Sequence, residues 1–166
     1  MFIDKHSIIK KEKKMKTFVQ DHINEDIAGI IVMSHGPFAV AMVESAKMIF
    51  GEVADNVAAF SLEPGDNLDE FRHAFAKMYE KFPTGTVFLT DIYAGTPCNQ
   101  VLQYAQEINK PVELVTGLSL PMLMVAISER YHKRGQELAE VAVRGVTELT
   151  KRVDVKTFLD SEDDED

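Results

Sequence analysis

The sequence predicts an α/β domain, a doubly wound and mostly parallel four-stranded sheet with helices on both faces. Two observations carry this. Four short apolar runs alternate with stretches of helical spacing, the pattern of strands joined by crossover helices. The chain has 166 residues and is 45% hydrophobic, enough for one domain with a substantial core and no disulfide or metal staples. Right-handed crossovers limit the topology to a few doubly wound orders, 2-1-3-4 among them.

The elements follow in order. Residues 1–26 mix charge with scattered Ile8, Ile9, Met15, Phe18 and Val19, and read as a short amphipathic helix or a loose extension. Ile27–Ser34 (IAGIIVMS) is apolar and β-branched in its middle, a strand buried on both faces. Helical spacing runs over Phe38–Phe50, with Pro37 before it and Gly51 beyond it. Val57–Leu62 is the second strand, and Asn67 caps a helix reaching Phe82. Thr86–Thr90 (TVFLT) is the third, after which Thr96 is placed to cap a helix from Pro97 to Ile108. Val112–Thr116 is the fourth, leading to helices over about Pro121–Arg130 and Gln136–Lys151. A brief extended segment, Val155–Leu159, precedes an acidic tail.

Charge narrows the function classes. The formal net charge is -9, of which Asp160 to Asp166 contribute -6 and residues 1–26 contribute +1. An acidic surface repels phosphate backbones and anionic lipid, which argues against nucleic acid or a membrane surface as partner. A single cysteine, Cys98, points to a reducing compartment and reads as a small core residue. The apolar runs are far shorter than the roughly 20 residues that span a bilayer. The N-terminal lysines have no continuous apolar region behind them, which argues against a cleaved secretory signal. The tail reads as solubilising.

In doubly wound sheets ligands bind beyond the carboxyl ends of the strands, at the switch point. Two side chains suited to chemistry stand there, His35 and Asp91. His35 follows a buried strand and precedes a helix start, whose N–H groups favour anions. Alone it reads equally as a histidine that caps or packs. Asp91 ends the third strand, and in a 2-1-3-4 order it neighbours His35 across the switch point. A carboxylate there accepts from one imidazole nitrogen and directs the other outward; alone it reads as a loop-initiating aspartate. The third element is Gly95-Thr96-Pro97-Cys98-Asn99, a helix start whose N–H groups and Thr96 hydroxyl suit a phosphoryl oxygen. It has no lysine and is too short for a nucleotide-binding loop. The plain alternative is a routine helix cap. A Ser34–His35–Asp91 hydrolase arrangement fails because adjacent Ser and His do not readily face one another, and no G-x-S-x-G elbow exists. His6, His22, His73 and His132 have no facing acid and read as solvated, and no clustered metal pattern stands out. Together the three elements point to transfer of a phosphoryl group onto and off His35.

These residues carry a family resemblance. Ile30–Gly36 (IIVMSHG), Phe60–Asp66 (FSLEPGD), Val87–Asn99 (VFLTDIYAGTPCN) and Val115–Leu123 (VTGLSLPML) resemble the enzyme IIA domain of the mannose family of the phosphoenolpyruvate:sugar phosphotransferase system. The likeness runs from about Ala28 to Leu149. It implies a cytoplasmic phosphotransferase in which His35 takes a phosphoryl group from phospho-HPr and passes it to enzyme IIB for carbohydrate uptake. Asp91 then orients His35, while Gly36, Gly95 and Thr96 lie at the phosphoryl group. No metal, nucleotide or other cofactor is implied, and membrane association is indirect, through the sugar permease components. The resemblance also implies a homodimer with a C-terminal edge strand, Val155–Leu159, exchanged between subunits. The organisation expected is an arm or extension at 1–26, the phosphotransferase domain at 27–159 and the tail at 160–166. Two alternatives share the histidine: a regulatory phosphorylatable module, and the phosphotransfer subunit of a dihydroxyacetone kinase. The Gly95-Thr96-Pro97-x-Asn99 loop fits the mannose family better than the latter. The absence from this sequence of an ATPase or DNA-binding region argues against the former.

Overall fold

A computed structural model describes residues 15–20, 22–51 and 55–156. Along the chain the elements are β1 (Lys16–Phe18), β2 (Ile30–His35), α1 (Phe38–Phe50), β3 (Val57–Leu62) and α2 (Leu68–Lys81). They continue with β4 (Val87–Thr90), α3 (Thr96–Ile108), β5 (Glu113–Thr116), α4 (Leu120–Glu129) and α5 (Gly135–Leu149). The sheet has the order β1-β3-β2-β4-β5. β2 is parallel to β3 on one side and to β4 on the other, and β4 is parallel to β5.

Side-chain alternation along the strands divides the core in two. Ile30, Val32, Val57, Ala59, Val87 and Leu89 face α1, α4 and α5. Ile31, Met33, Ala58, Phe60 and Phe88 face α2 and α3. On the second face Phe75 meets Phe71, Phe88 and Tyr104 edge-on, with ring centroids 5.9, 5.7 and 5.7 Å apart, the arrangement that aligns ring edges with ring faces. β2 and β4 are buried on both sides, which is why they read as unbroken apolar runs. Among the described residues no helix is long and apolar enough to cross a membrane.

Three expectations are corrected. The sheet has five strands rather than four, because part of the N-terminal arm forms β1, antiparallel to β3, instead of a helix or a loose extension. An uncovered β3 would leave a row of unpaired backbone groups, and β1 takes that edge while Phe18 packs against the core. At the other end, Val155 and Lys156 lie in a helical turn rather than a strand. Asp154 Oδ1 accepts from the Lys156 N–H at 3.2 Å, the local bond by which an aspartate starts a turn. The rest of the segment expected to be exchanged, Thr157 to Leu159, and the acidic tail lie outside the described residues. Finally, α3 begins one residue earlier than expected. Gly95 stands at its N-cap and Thr96 is its first helical residue, with no side-chain cap.

Candidate active site

The carboxyl ends of β2 and β4 are adjacent, and they bring His35 and Asp91 together. His35 is the last residue of β2, and the chain reverses immediately at Gly36, whose φ of +59° lies in the left-handed region open to glycine. The Gly36 N–H donates to Leu62 O at 2.7 Å, fastening the turn to the end of β3. Asp91 follows β4. Its Oδ2 accepts from the His35 backbone N–H at 2.8 Å and from the His35 ring Nδ1 at 2.9 Å, while Oδ1 accepts from the Ile92 N–H at 2.9 Å. A carboxylate oxygen only accepts, so Nδ1 is the donor, and in the neutral ring Nε2 keeps a free lone pair. The histidine side chain is about half exposed (47%) and the aspartate largely covered (17%). The ring is thus half open to solvent, and its carboxylate support is covered.

The loop after Asp91 completes the support. Gly117 N–H donates to Asp91 O at 3.2 Å and Leu118 N–H to Thr90 O at 3.0 Å, tying it to the end of β5. Ala94 is in the left-handed region (φ +58°), and its carbonyl accepts from Asn99 Nδ2 at 3.0 Å. Gly95 then passes directly beneath the imidazole: a Cβ there would lie 2.8 Å from His35 Cε1 and 2.6 Å from Ile92 Cγ2. Those distances are shorter than carbon atoms tolerate, so a side chain there would push the ring or Ile92 aside.

Two helix N-termini border the ring, and they differ. Two first-turn donors of α1, expected from the sequence to be unpaired, are taken: the Ala39 N–H donates to Ser34 Oγ at 2.6 Å and the Val40 N–H to Ser61 Oγ at 3.4 Å. Ser34 and Ser61 are register partners on β2 and β3, pointing to the same face, and both are fully buried. The N-terminus of α3 has no side-chain cap, Pro97 has no N–H, and Asn99 N–H returns to Gly95 O at 2.9 Å. The N–H groups of Thr96 and Cys98 and the Thr96 hydroxyl are the donors of that first turn. The capping by Ser34 and Ser61 and the bond from Asn99 to Ala94 O are not evident from the sequence. The signal for the serines was their place in the period-2 pattern, where a hydroxyl replaces an aliphatic side chain at the last inward position of each strand. On the segments that follow the strands, Phe38, Leu68, Ile92 and Tyr93 are exposed apolar groups, Tyr93 most of all at 79%. Among the described residues no group of three or more histidine, cysteine or acidic side chains is placed to hold a metal ion.

This geometry coincides with a family match. The model of the PTS system fructose IIA component, EIIA-man, matches residues 29–143. The chain belongs to this family. The fructose-specific EIIA component of Bacillus subtilis is 30% identical over 105 residues, covering 62% of this chain and 70% of that one. The sorbose-specific EIIA component of Klebsiella pneumoniae is 27% identical over 111 residues, covering 66% and 80%. Among solved structures, EIIA from Streptococcus agalactiae superposes with a TM-score of 0.68 at 26% identity, over 79% of this chain and 99% of that chain. The PTS IIA protein associated with the fucose utilization operon of Streptococcus pneumoniae gives 0.64 at 32% identity, over 80% and 96%. The chain is accordingly a mannose-family EIIA component with a phosphotransfer role in a sugar phosphotransferase system.

Proposed function

We propose that His35 carries the phosphoryl group, accepting it on Nε2 from phospho-HPr and passing it to enzyme IIB, in the cytoplasm and as a homodimer. The observation that carries this reading is the double hydrogen bond from the backbone and ring of His35 to one oxygen of Asp91, which fixes the ring and frees Nε2. The Nε2 lone pair attacks phosphorus as the donor's P–N bond breaks, and the bonding pair returns to the donor's imidazole nitrogen. The His35 ring, still protonated on Nδ1, gains positive charge, which the Asp91 carboxylate offsets. Transfer onward repeats the exchange with the acceptor's nucleophile in place of the donor's. Thr96 and the first turn of α3, beneath which Gly95 makes room, receive the phosphoryl oxygens. Gly36 contributes the turn rather than a donor, since its N–H is committed to Leu62 O.

The surroundings support a protein donor and acceptor. His35 lies at an open edge, flanked by the exposed side chains of Phe38, Ile92 and Tyr93, and apolar groups with one central polar anchor suit a protein surface. The exchange requires no metal, nucleotide or other cofactor, and the protein meets the membrane only through the permease components. Incubation with phosphoenolpyruvate, enzyme I and HPr tests the reading. An acid-labile, alkali-stable phosphoryl group is expected on the parent protein and not on His35→Ala; equal labelling of both would overturn it.

A further inference from the structure

Residues 15–20 lie outside the stretch that the family model matches, yet Lys16–Phe18 among them are built into the sheet as its edge strand on β3. Lys16 stands opposite Ser61 in the register of β1 and β3, and Lys16 Nζ pairs with Glu63 Oε1 at 2.7 Å. These contacts fall on the segment that supports the His35 turn. Ser61 caps the Val40 N–H of α1, and Leu62 O receives the Gly36 N–H, so three successive residues of β3 and its loop join Lys16 to the residue after His35. The strap is held along its length. Phe18 packs against the core with Lys47 5.3 Å above its ring, and Met15 packs on the opposite face of the sheet. Farther on, buried Asn56 clasps the chain, accepting from the Asn24 N–H at 2.9 Å and donating to Asn24 O at 2.6 Å and Ile27 O at 2.8 Å.

We infer that β1 is a strap that positions the His35 turn, with Lys16 as a positioning residue for the phosphoryl transfer assigned above, an inference that rests on that reading of His35. A three-residue strand anchored at both ends stiffens the end of β3 more than it adds to global stability, because its bonds are local to that edge. The Glu63 N–H also donates to Asp66 Oδ2 at 2.9 Å, so loss of the Lys16–Glu63 pair removes one restraint among several and loosens, without releasing, the Leu62 O that holds Gly36.

Hydrogen exchange on the full chain tests this together with the rate of phosphoryl transfer from phospho-HPr. In Lys16→Ala the Gly36 and Val40 amides are expected to exchange roughly three- to fivefold faster, the range of a partly exposed ion pair. Val32 and Leu89 keep their rates, the transfer rate falls by a similar factor, and Lys16→Arg restores both. Unchanged protection at Gly36, or an equal acceleration across the whole sheet, overturns the strap. If no protein is labelled at His35 while Gly36 protection still depends on Lys16, the carrier reading falls and the positioning of the turn stands.

Discussion

Replacing Gly95 by alanine isolates the packing beneath the imidazole. Gly95 has φ -72° and ψ 167°, an extended conformation that alanine adopts without strain, so any effect comes from the added methyl alone. That methyl would lie 2.8 Å from His35 Cε1 and 2.6 Å from Ile92 Cγ2, against about 3.5–4.0 Å for an optimal carbon contact. Relief demands a displacement of about 1 Å, shared between the ring and the Ile92 side chain. A ring moved that far stretches or breaks the 2.9 Å bond from Nδ1 to Asp91. Misplacement of a reacting group by about 1 Å costs on the order of 100-fold in rate. The change in stability is modest by comparison, about 1 kcal/mol, the cost of replacing a favoured N-cap residue by alanine. Single-turnover transfer from phospho-HPr, read beside a urea denaturation curve, separates the two. A Gly95→Ala protein that transfers within twofold of the parent rate, with unchanged His35 ring shifts in NMR spectra, would refute the steric argument.

Other substitutions probe the supports singly. Ser34→Ala leaves the buried Ala39 N–H without its 2.6 Å partner, and urea denaturation should show a loss of about 1–2 kcal/mol. Ser61→Ala should cost less, because its bond to Val40 is longer. Asn67→Ala removes the side chain that accepts from the Asp69 and Glu70 N–H groups and should cost about 1 kcal/mol by the same measurement. Asp91→Asn should keep the fold but slow transfer, since an amide offers no negative charge to the ring as positive charge builds on it; unchanged transfer kinetics would remove Asp91 from the mechanism. The Lys133 ammonium, through its bond to Glu129 and its charge, holds that carboxyl below its ordinary value. Its contribution to stability is therefore present above the ordinary carboxyl range and lost as pH falls through the lowered value. Parent and Glu129→Gln melting temperatures should converge at that acidic limit.

The sequence exposes these features unevenly, for physical reasons. α1 matches its expected bounds, Phe38–Phe50, because Pro37 and Gly51 punctuate it, and Asn67 caps α2 as its side chain predicts. The meeting of His35 and Asp91 follows once their strands are neighbours, since both stand at carboxyl ends in a parallel sheet. What escaped depends on contacts distant in sequence. β1 has only three residues and too little alternation to announce a strand. The capping of α1 by Ser34 and Ser61 depends on the register between two strands, so the sequence does not reveal that the Ala39 and Val40 donors are taken. Thr96 resembles a cap, yet the Asn99 N–H bonds to Gly95 O at 2.9 Å, which makes Gly95 the N-cap and starts the helix one residue earlier.

The central claim is that Asp91 holds Nδ1 of His35 and presents Nε2 for phosphoryl transfer. Ring-15N histidine NMR of the protein, phosphorylated through phosphoenolpyruvate, enzyme I and HPr, locates the phosphorus atom directly. The predicted result is a single phosphohistidine at His35 with phosphorus on Nε2 and the proton kept on Nδ1. Phosphorus on Nδ1, or on a residue other than His35, would contradict the account.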